Sequence, residues 1–150
     1  MRLRTSLAIA TLALAACGDG LPVGTHLILS LRAAAHERWR ASGIDSYELT
    51  VRRICYCLSA EPVQVRVENG VVVSRTFAST GDPVPSTYAS LYPDVPGLFA
   101  IVEEAAREAD DLDTTFDATY GFPVEISIDW DEIAVDDEIT YRTESLTITP

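Results

Sequence analysis

Two cysteines separated by one residue are the most reactive side chains of the sequence. Cys55 and Cys57 end a stretch typical of a β-strand, in which alternate side chains point to the same side. In a regular strand their Cα atoms lie roughly 6.5–7 Å apart, at the limit for a disulfide, so a bulge is needed to close the bond. A strained disulfide is easily reduced, and two thiolates bind Cu(I) or Zn. The pair therefore predicts a structural disulfide, with a redox pair and a soft-metal site as alternatives.

An acidic run near the C-terminus offers oxygen ligands. Six carboxylates lie within ten residues, which is enough in principle to bind Ca²⁺. The spacing differs from that of an EF-hand and lacks its central glycine, so a solvated acidic loop is the favoured interpretation. The members of the run are Asp129, Asp131, Glu132, Asp136, Asp137 and Glu138.

A turn between two expected strands is a third candidate. Asp117 and Asp129 flank Tyr120-Gly121-Phe122-Pro123, and two carboxylates near a tyrosine are suited to acid–base chemistry or to ligand binding. Turn chemistry explains the same residues, since Gly121 supplies backbone freedom and Pro123 starts the next strand. No nucleophile elbow, P-loop or dinucleotide-binding glycine pattern accompanies them in the sequence. We therefore expect neither an enzyme nor a cofactor.

The N-terminus predicts export and lipidation. Arg2 and Arg4 precede an apolar run that is shorter than the roughly 20 residues a membrane-spanning helix needs. Leu14-Ala15-Ala16-Cys17 then resembles the lipobox of bacterial lipoproteins. We expect residues 1–16 to be a cleaved signal peptide, residues 17–24 a lipidated cysteine with its tether, and residues 25–150 one globular domain.

Charge and cysteine number agree with that location. Removing residues 1–16 leaves nine arginines against 23 acidic residues, a net charge of −14, which disfavours nucleic acid and anionic headgroups as partners. Assigning Cys17 to lipid leaves Cys55 and Cys57 as a pair in an oxidising compartment, where a structural disulfide is favoured. The predicted address is the bacterial cell envelope.

Two helices and six strands are expected to position these residues. Leu27, Leu31, Ala35 and Trp39 recur at i+4 steps within a helix over 26–42, and a second helix capped by Asp94 carries an apolar face. These apolar positions are Leu98, Ile101, Val102, Ala105 and Ala109.

The strands follow each helix in groups of three. Alternation from Tyr47 predicts the first strand, with a bulge near Arg52-Arg53, and Asn69-Gly70 joins the next two as a hairpin. Strands over 112–117, 124–130 and 140–149 come after the second helix, with Val124, Ile126, Ile128 and Trp130 inward. The order helix, three strands, helix, three strands predicts an α+β fold, a curved antiparallel sheet with helices on one face.

Taken together, these residues resemble a bacterial domain-of-unknown-function family, number 6174, whose members often follow a lipobox. The resemblance covers roughly residues 38–148 and supports the boundaries and the address, but implies no activity. Thr115-Phe116-Asp117 departs from the family, which more usually has a tyrosine before the aspartate. The matching positions are Trp39, Gly43-Ile44, Tyr47, Cys55-x-Cys57, Asn69-Gly70, Leu98-Phe99, Asp117, Tyr120-Gly121-Phe122-Pro123, Ile126-x-Ile128-Asp129 and Val135-Asp136-Asp137-Glu138.

The sequence therefore predicts a lipid-anchored, non-enzymatic binding or envelope-support module. It is expected to meet an unknown protein or small ligand through an open sheet face or through the Tyr120 loop. The alternative is a thiol-redox or soft-metal-handling protein that uses Cys55 and Cys57.

Overall fold

The computed structural model describes residues 23–56 and 61–149. Helix α1 spans Val23–Ser42 and is followed by β1 (Tyr47–Cys55), β2 (Val63–Glu68) and β3 (Val71–Phe77). A 3-10 helix (Ser86–Leu91) leads to helix α2 (Val95–Glu108), and then come β4 (Asp111–Phe116), β5 (Pro123–Asp129) and β6 (Ile139–Ile148). The expected α+β fold with helix, three strands, helix, three strands is confirmed.

All six strands form one antiparallel sheet in the order β3-β2-β1-β6-β5-β4. Two meanders, β1–β3 (the first meander) and β4–β6 (the second meander), are joined through β1 and β6 at the centre. Strand β3 is therefore one edge of the sheet and strand β4 is the other.

The core lies between the helices and one face of the sheet. Leu49, Val65 and Ile126 are almost fully buried there, and among the described residues no buried one is polar or charged. Trp39 of α1 contacts both Tyr47 and Phe122 edge-on, with ring centroids 5.4 and 6.3 Å apart. Burial of this face supplies most of the driving force for folding.

The hairpin predicted at Asn69-Gly70 is present. Both residues have positive φ, 50° and 75°, as a two-residue type I′ turn requires, and Glu68 pairs directly with Val71. Asn and Gly adopt this conformation most readily. The turn is also held to the segment before β1, because the Gly70 N–H donates to the Asp45 carbonyl (2.7 Å) and the Asn69 N–H donates to Ser46 Oγ (3.0 Å).

Two hydrogen bonds stabilise the first turn of helix α2. The Asp94 carboxylate accepts a hydrogen bond from the Gly97 N–H (2.9 Å), as expected for an N-cap, and Pro96 lies in the same turn. The Tyr47 hydroxyl of β1 accepts a second hydrogen bond from the Val95 N–H (3.1 Å). Strand β1 thereby sets where α2 begins.

The apolar face predicted for α1 is wrong at its N-terminal end. Leu27 and Leu31 are 59% and 51% exposed, whereas Ala35 and Trp39 are buried. Steps of four residues advance by about 40° each, so Leu27 and Trp39 lie about 120° apart around the helix. Ile28, rather than Leu27, packs against the core.

Two register details also differ from expectation. The irregularity in β1 lies between Thr50 and Val51, where Glu144 of β6 is the extra residue, so Arg53 and Cys55 stay on the helix side. In β5 the register shift leaves Val124 unpaired, and Pro123 takes the buried position instead.

Candidate functional site

Cys55 lies at the end of β1, on the helix-covered side and opposite Ile139. The Arg53 guanidinium donates a hydrogen bond to Cys55 Sγ, with 2.7 Å between Nη1 and sulfur. Cys17 and Cys57 fall outside the described residues, so the pairing of Cys55 with Cys57 and the lipidation of Cys17 stay predictions. What the structure adds is a cation in contact with the sulfur.

The Tyr120 loop is a tightly closed turn. Asp117 Oδ1 accepts hydrogen bonds from the backbone N–H groups of Thr119 (3.0 Å) and Tyr120 (2.6 Å). The Asp117 N–H donates to the Phe122 carbonyl (2.8 Å), and Tyr120 packs against the core. The carboxylate is therefore committed to the turn, as turn chemistry predicts.

Gly121 brings this turn against helix α1. Its φ is +86°, and a Cβ built there would lie 2.2 Å from the Ala35 carbonyl oxygen. Only glycine permits that approach, because any larger residue would meet helix backbone rather than a movable side chain. Gly121 thus serves the packing of the β4–β5 turn.

The structure does not bring Asp117 and Asp129 together. They lie at opposite ends of β5, since Phe116 pairs with Pro123 while Asp111 pairs with Asp129. At about 3.3 Å per residue the separation is roughly 20 Å. Tyr120 therefore has Asp117, but not Asp129, in its turn.

Asp129 belongs to the acidic end of the second meander instead. Loss of hydration raises the pKa of Asp129, and the charges of Asp137, Glu138, Asp110 and Asp111 raise it further. The fold brings the start of β4 next to the acidic loop, so carboxylates from two separate segments repel one another at this end of the sheet.

Backbone N–H groups of the acidic loop donate hydrogen bonds to carboxylates of the loop itself and to Asp110, which precedes β4. Asp137 Oδ2 accepts from the Asp131 N–H (2.9 Å), Asp131 Oδ1 from the Ile133 N–H (3.0 Å), and Asp110 Oδ2 from the Glu132 N–H (3.0 Å). Asp136 adopts a positive φ of 74° in this loop. Across residues 23–56 and 61–149, no three metal-binding side chains are grouped closely enough to hold an ion.

The sheet face away from the helices is polar; we call it the polar face. Ion pairs join Arg142 to Glu125 (2.8 Å) across strands β6 and β5, and Arg52 to Glu144 across β1 and β6. Arg52 and Arg142 are directly opposed in register, so each arginine has an acid that offsets its like-charged neighbour. Further outward residues on this face are Glu48, Gln64, Arg66, Glu68, Ser127, Thr140, Ser145 and Thr147.

Sequence reasoning missed these ion pairs. Alternation alone identifies the outward positions of each strand, but it does not tell which strands are neighbours. The pairing of β1 with β6 joins residues about 90 apart in sequence, as in the Arg52–Glu144 pair. These partners can be identified only from the register of the two strands in the folded sheet.

Comparison with known proteins adds the family and nothing about activity. No curated protein and no solved structure matches the chain. One family model, described as a family of unknown function (DUF6174), matches residues 32–148. That range includes the C-terminal part of α1 and all six strands, and it agrees with the resemblance drawn from the motifs. The chain belongs to this family of unknown function.

Proposed function

We propose that the protein is a lipid-anchored, non-enzymatic binding module of the bacterial cell envelope that meets its ligand with the polar face. The observation that carries the proposal is the arrangement of that face. Its charged side chains lie on one six-stranded sheet, and cross-strand ion pairs join Arg52 to Glu144 and Arg142 to Glu125. A protein surface or a small polar ligand can be recognised there without rearrangement of the backbone.

The membrane location rests on the N-terminal sequence. Helix α1 begins at Val23 and so includes the last two residues of the predicted tether. Lipidation of Cys17 would therefore leave residues 18–22 as the tether, about 18 Å long at full extension. Two or more acyl chains hold a protein at a membrane stably, so the domain would work close to the bilayer. No helix of the described residues is long and apolar enough to cross a membrane.

Lipidation is tested by metabolic labelling with palmitate in cells that make the full chain. We expect label in the wild type, a mature mass that lacks residues 1–16, and neither in Cys17→Ser. An unlabelled wild type, or a cellular form that retains Met1, would contradict the anchor.

Binding by the polar face is tested with a photoreactive amino acid. Ser145 is exposed at the centre of this face, and Ser30 is an exposed serine on α1. We expect a discrete crosslinked product from position 145 and none from position 30. Equal products from both positions, or none from either, would contradict a ligand on the polar face.

The contact between Arg53 and Cys55 favours a second candidate, a thiol-redox or soft-metal function. The Arg53 guanidinium lies against Cys55 Sγ, and a cation in that position would favour the thiolate, the reactive and metal-binding form, once any disulfide at Cys55 is reduced. Thiol titration and metal analysis of the mature lipidated chain, in which Cys17 would be blocked and Cys55 and Cys57 would remain, distinguish the candidates. Two reactive thiols with stoichiometric Cu(I) or Zn would favour this function, whereas an unreactive pair lighter by two hydrogens would favour the binding module.

A further inference from the structure

Helix α1 has an exposed apolar side near its N-terminus. Leu27 and Leu31 lie one turn apart there, 59% and 51% exposed, and Ala34 continues the row as a third exposed apolar residue. The side that packs against the core, which includes Ile28 and Trp39, is rotated by about 100–120° from Leu27. Helix α1 therefore has two apolar sides, and the described residues cover only one of them.

The predicted anchor lies next to the exposed apolar side. Residues 18–22 alone separate Cys17 from the first residue of α1, Val23, and they span at most about 18 Å. At about 1.5 Å per residue, Leu27 and Leu31 lie about 6 and 12 Å further along the helix. So short a tether keeps both leucines at a high effective concentration beside the bilayer, and even a weak contact with lipid is then populated.

Charge does not oppose a membrane contact at this helix, although the net charge of the whole domain is strongly negative. Helix α1 holds three arginines and one acid, Glu37, and no acid precedes Glu37 in the helix. Arg38 is exposed and lies about three turns after Leu27, on the same side, where its guanidinium can bind a lipid phosphate. Apolar and basic residues combined in this way are typical of helices that lie in the interface of a bilayer.

We infer that the exposed apolar side of α1, formed by Leu27, Leu31 and Ala34, lies on the phospholipid bilayer. The leucines enter the boundary between headgroups and acyl chains, where burial of apolar surface stabilises the contact. The polar face lies on the other side of the sheet from α1 and stays open to a ligand. The inference rests on the lipid anchor of the proposed function and adds the orientation of the domain, which an anchor alone does not determine.

The test places an apolar photoreactive amino acid at Leu31 and, as the matched control, at Ala33. Both positions are exposed and lie two residues apart on one helix, but they are about 160° apart around its axis. In cells that make the full chain, we expect a phospholipid adduct, identified by its mass, from position 31 and not from position 33. Equal adduct from both positions, more from position 33, or none from either would overturn the inference.

Palmitate labelling of the same cells separates this inference from the anchor on which it rests. Labelled protein that gives no adduct at position 31 would overturn the membrane contact of α1, while the anchor would stand. Unlabelled protein would overturn the anchor and this inference together.

A second measurement adds a charge to each side of α1 in turn. Leu27→Glu, in the chain that carries the photoreactive group at position 31, should lower the adduct yield about tenfold, because an apolar contact is lost and a carboxylate stays in water. Ala33→Glu adds the same charge on the other side and should leave the yield unchanged. Both positions are exposed, so the core is not disturbed. An unchanged yield with Leu27→Glu, or an equal loss with both, would overturn the inference.

Discussion

A side chain would have room at Gly70, in the β2–β3 turn of the first meander, but not at Gly121, in the β4–β5 turn of the second meander, which lies against helix α1. A Cβ built on Gly70 meets nothing within 4 Å, but one built on Gly121 meets the backbone of Ala35 at 2.2 Å. A substitution at Gly70 therefore meets only the restriction on φ, whereas one at Gly121 meets that restriction and the backbone of α1 as well. The two turns of the sheet therefore contact the rest of the fold differently: the β2–β3 turn by backbone hydrogen bonds to Asp45 and Ser46, and the β4–β5 turn by close packing against Ala35.

The two meanders also differ in net charge. The acidic residues gather in the second meander, where Asp129 and its neighbours repel one another, while the first meander is balanced. Repulsion between like charges is therefore concentrated in the second meander. Three measurements on stability test how far the difference extends.

The largest effect is expected from Gly121→Ala compared with Gly70→Ala. Both glycines have positive φ, but only Gly121 faces helix backbone. Conformational strain alone should cost Gly70→Ala about 1–2 kcal/mol. The added collision should bring Gly121→Ala to roughly 3–5 kcal/mol.

Denaturant unfolding of the two full-chain variants, followed by circular dichroism, measures this difference. Equal losses of stability would show that the β4–β5 turn is not pressed against α1, and the contrast between the turns would be lost.

A smaller effect is expected from Tyr47→Phe, which removes the link between β1 and α2. The Val95 N–H would lose its acceptor in a buried position, at a cost of about 1–3 kcal/mol. Thermal unfolding at neutral pH measures the loss. Tyr88→Phe, at an exposed tyrosine, is the control and should leave stability unchanged.

The dependence of stability on pH above about 10 gives an independent test of the buried position of Tyr47. Burial raises the pKa of Tyr47 to about 12, so the folded state keeps its proton where the unfolded state loses it. Stability should therefore fall as pH rises from about 10 to 12. In Tyr47→Phe this part of the decline should disappear, and a wild-type slope retained in the variant would contradict the assignment.

The smallest effect, and one of opposite sign, is expected from Asp129→Asn. Because the pKa of Asp129 is raised, its ionisation opposes folding above that pKa. The variant should be slightly more stable than wild type near neutral pH. The gain should shrink as pH falls through the raised pKa and vanish below about pH 3, where the wild-type carboxyl is protonated in both the folded and the unfolded state.

Glu68→Gln removes one carboxylate from the first meander and serves as the comparison. Glu68 is paired with Arg66 at 2.8 Å, so the substitution should give no gain. Thermal unfolding midpoints of both variants, measured across pH, show whether the gain in stability is specific to Asp129. A similar gain from Glu68→Gln would mean that the repulsion is spread over the whole molecule rather than concentrated in its acidic half.

Much of the fold follows from the sequence itself. The period-two alternation of Val63, Val65 and Val67 determines the buried face of β2, and Asn69-Gly70 determines the hairpin that follows. Asp94 caps α2 as expected. These features depend on neighbours within a few residues, so local conformational preference and hydrophobic period are sufficient to predict them.

Other features were decided only by the tertiary structure. The pairing of Arg52 with Glu144, the approach of Gly121 to Ala35, and the separation of Asp117 from Asp129 depend on which strands and helices are neighbours. Leu27 has the same character as a core leucine yet lies exposed. The local sequence determines the hydrophobic period of each helix or strand. Contacts between residues far apart in the chain depend instead on strand order, strand register and the rotation of each helix about its axis. These are determined only when the whole core packs.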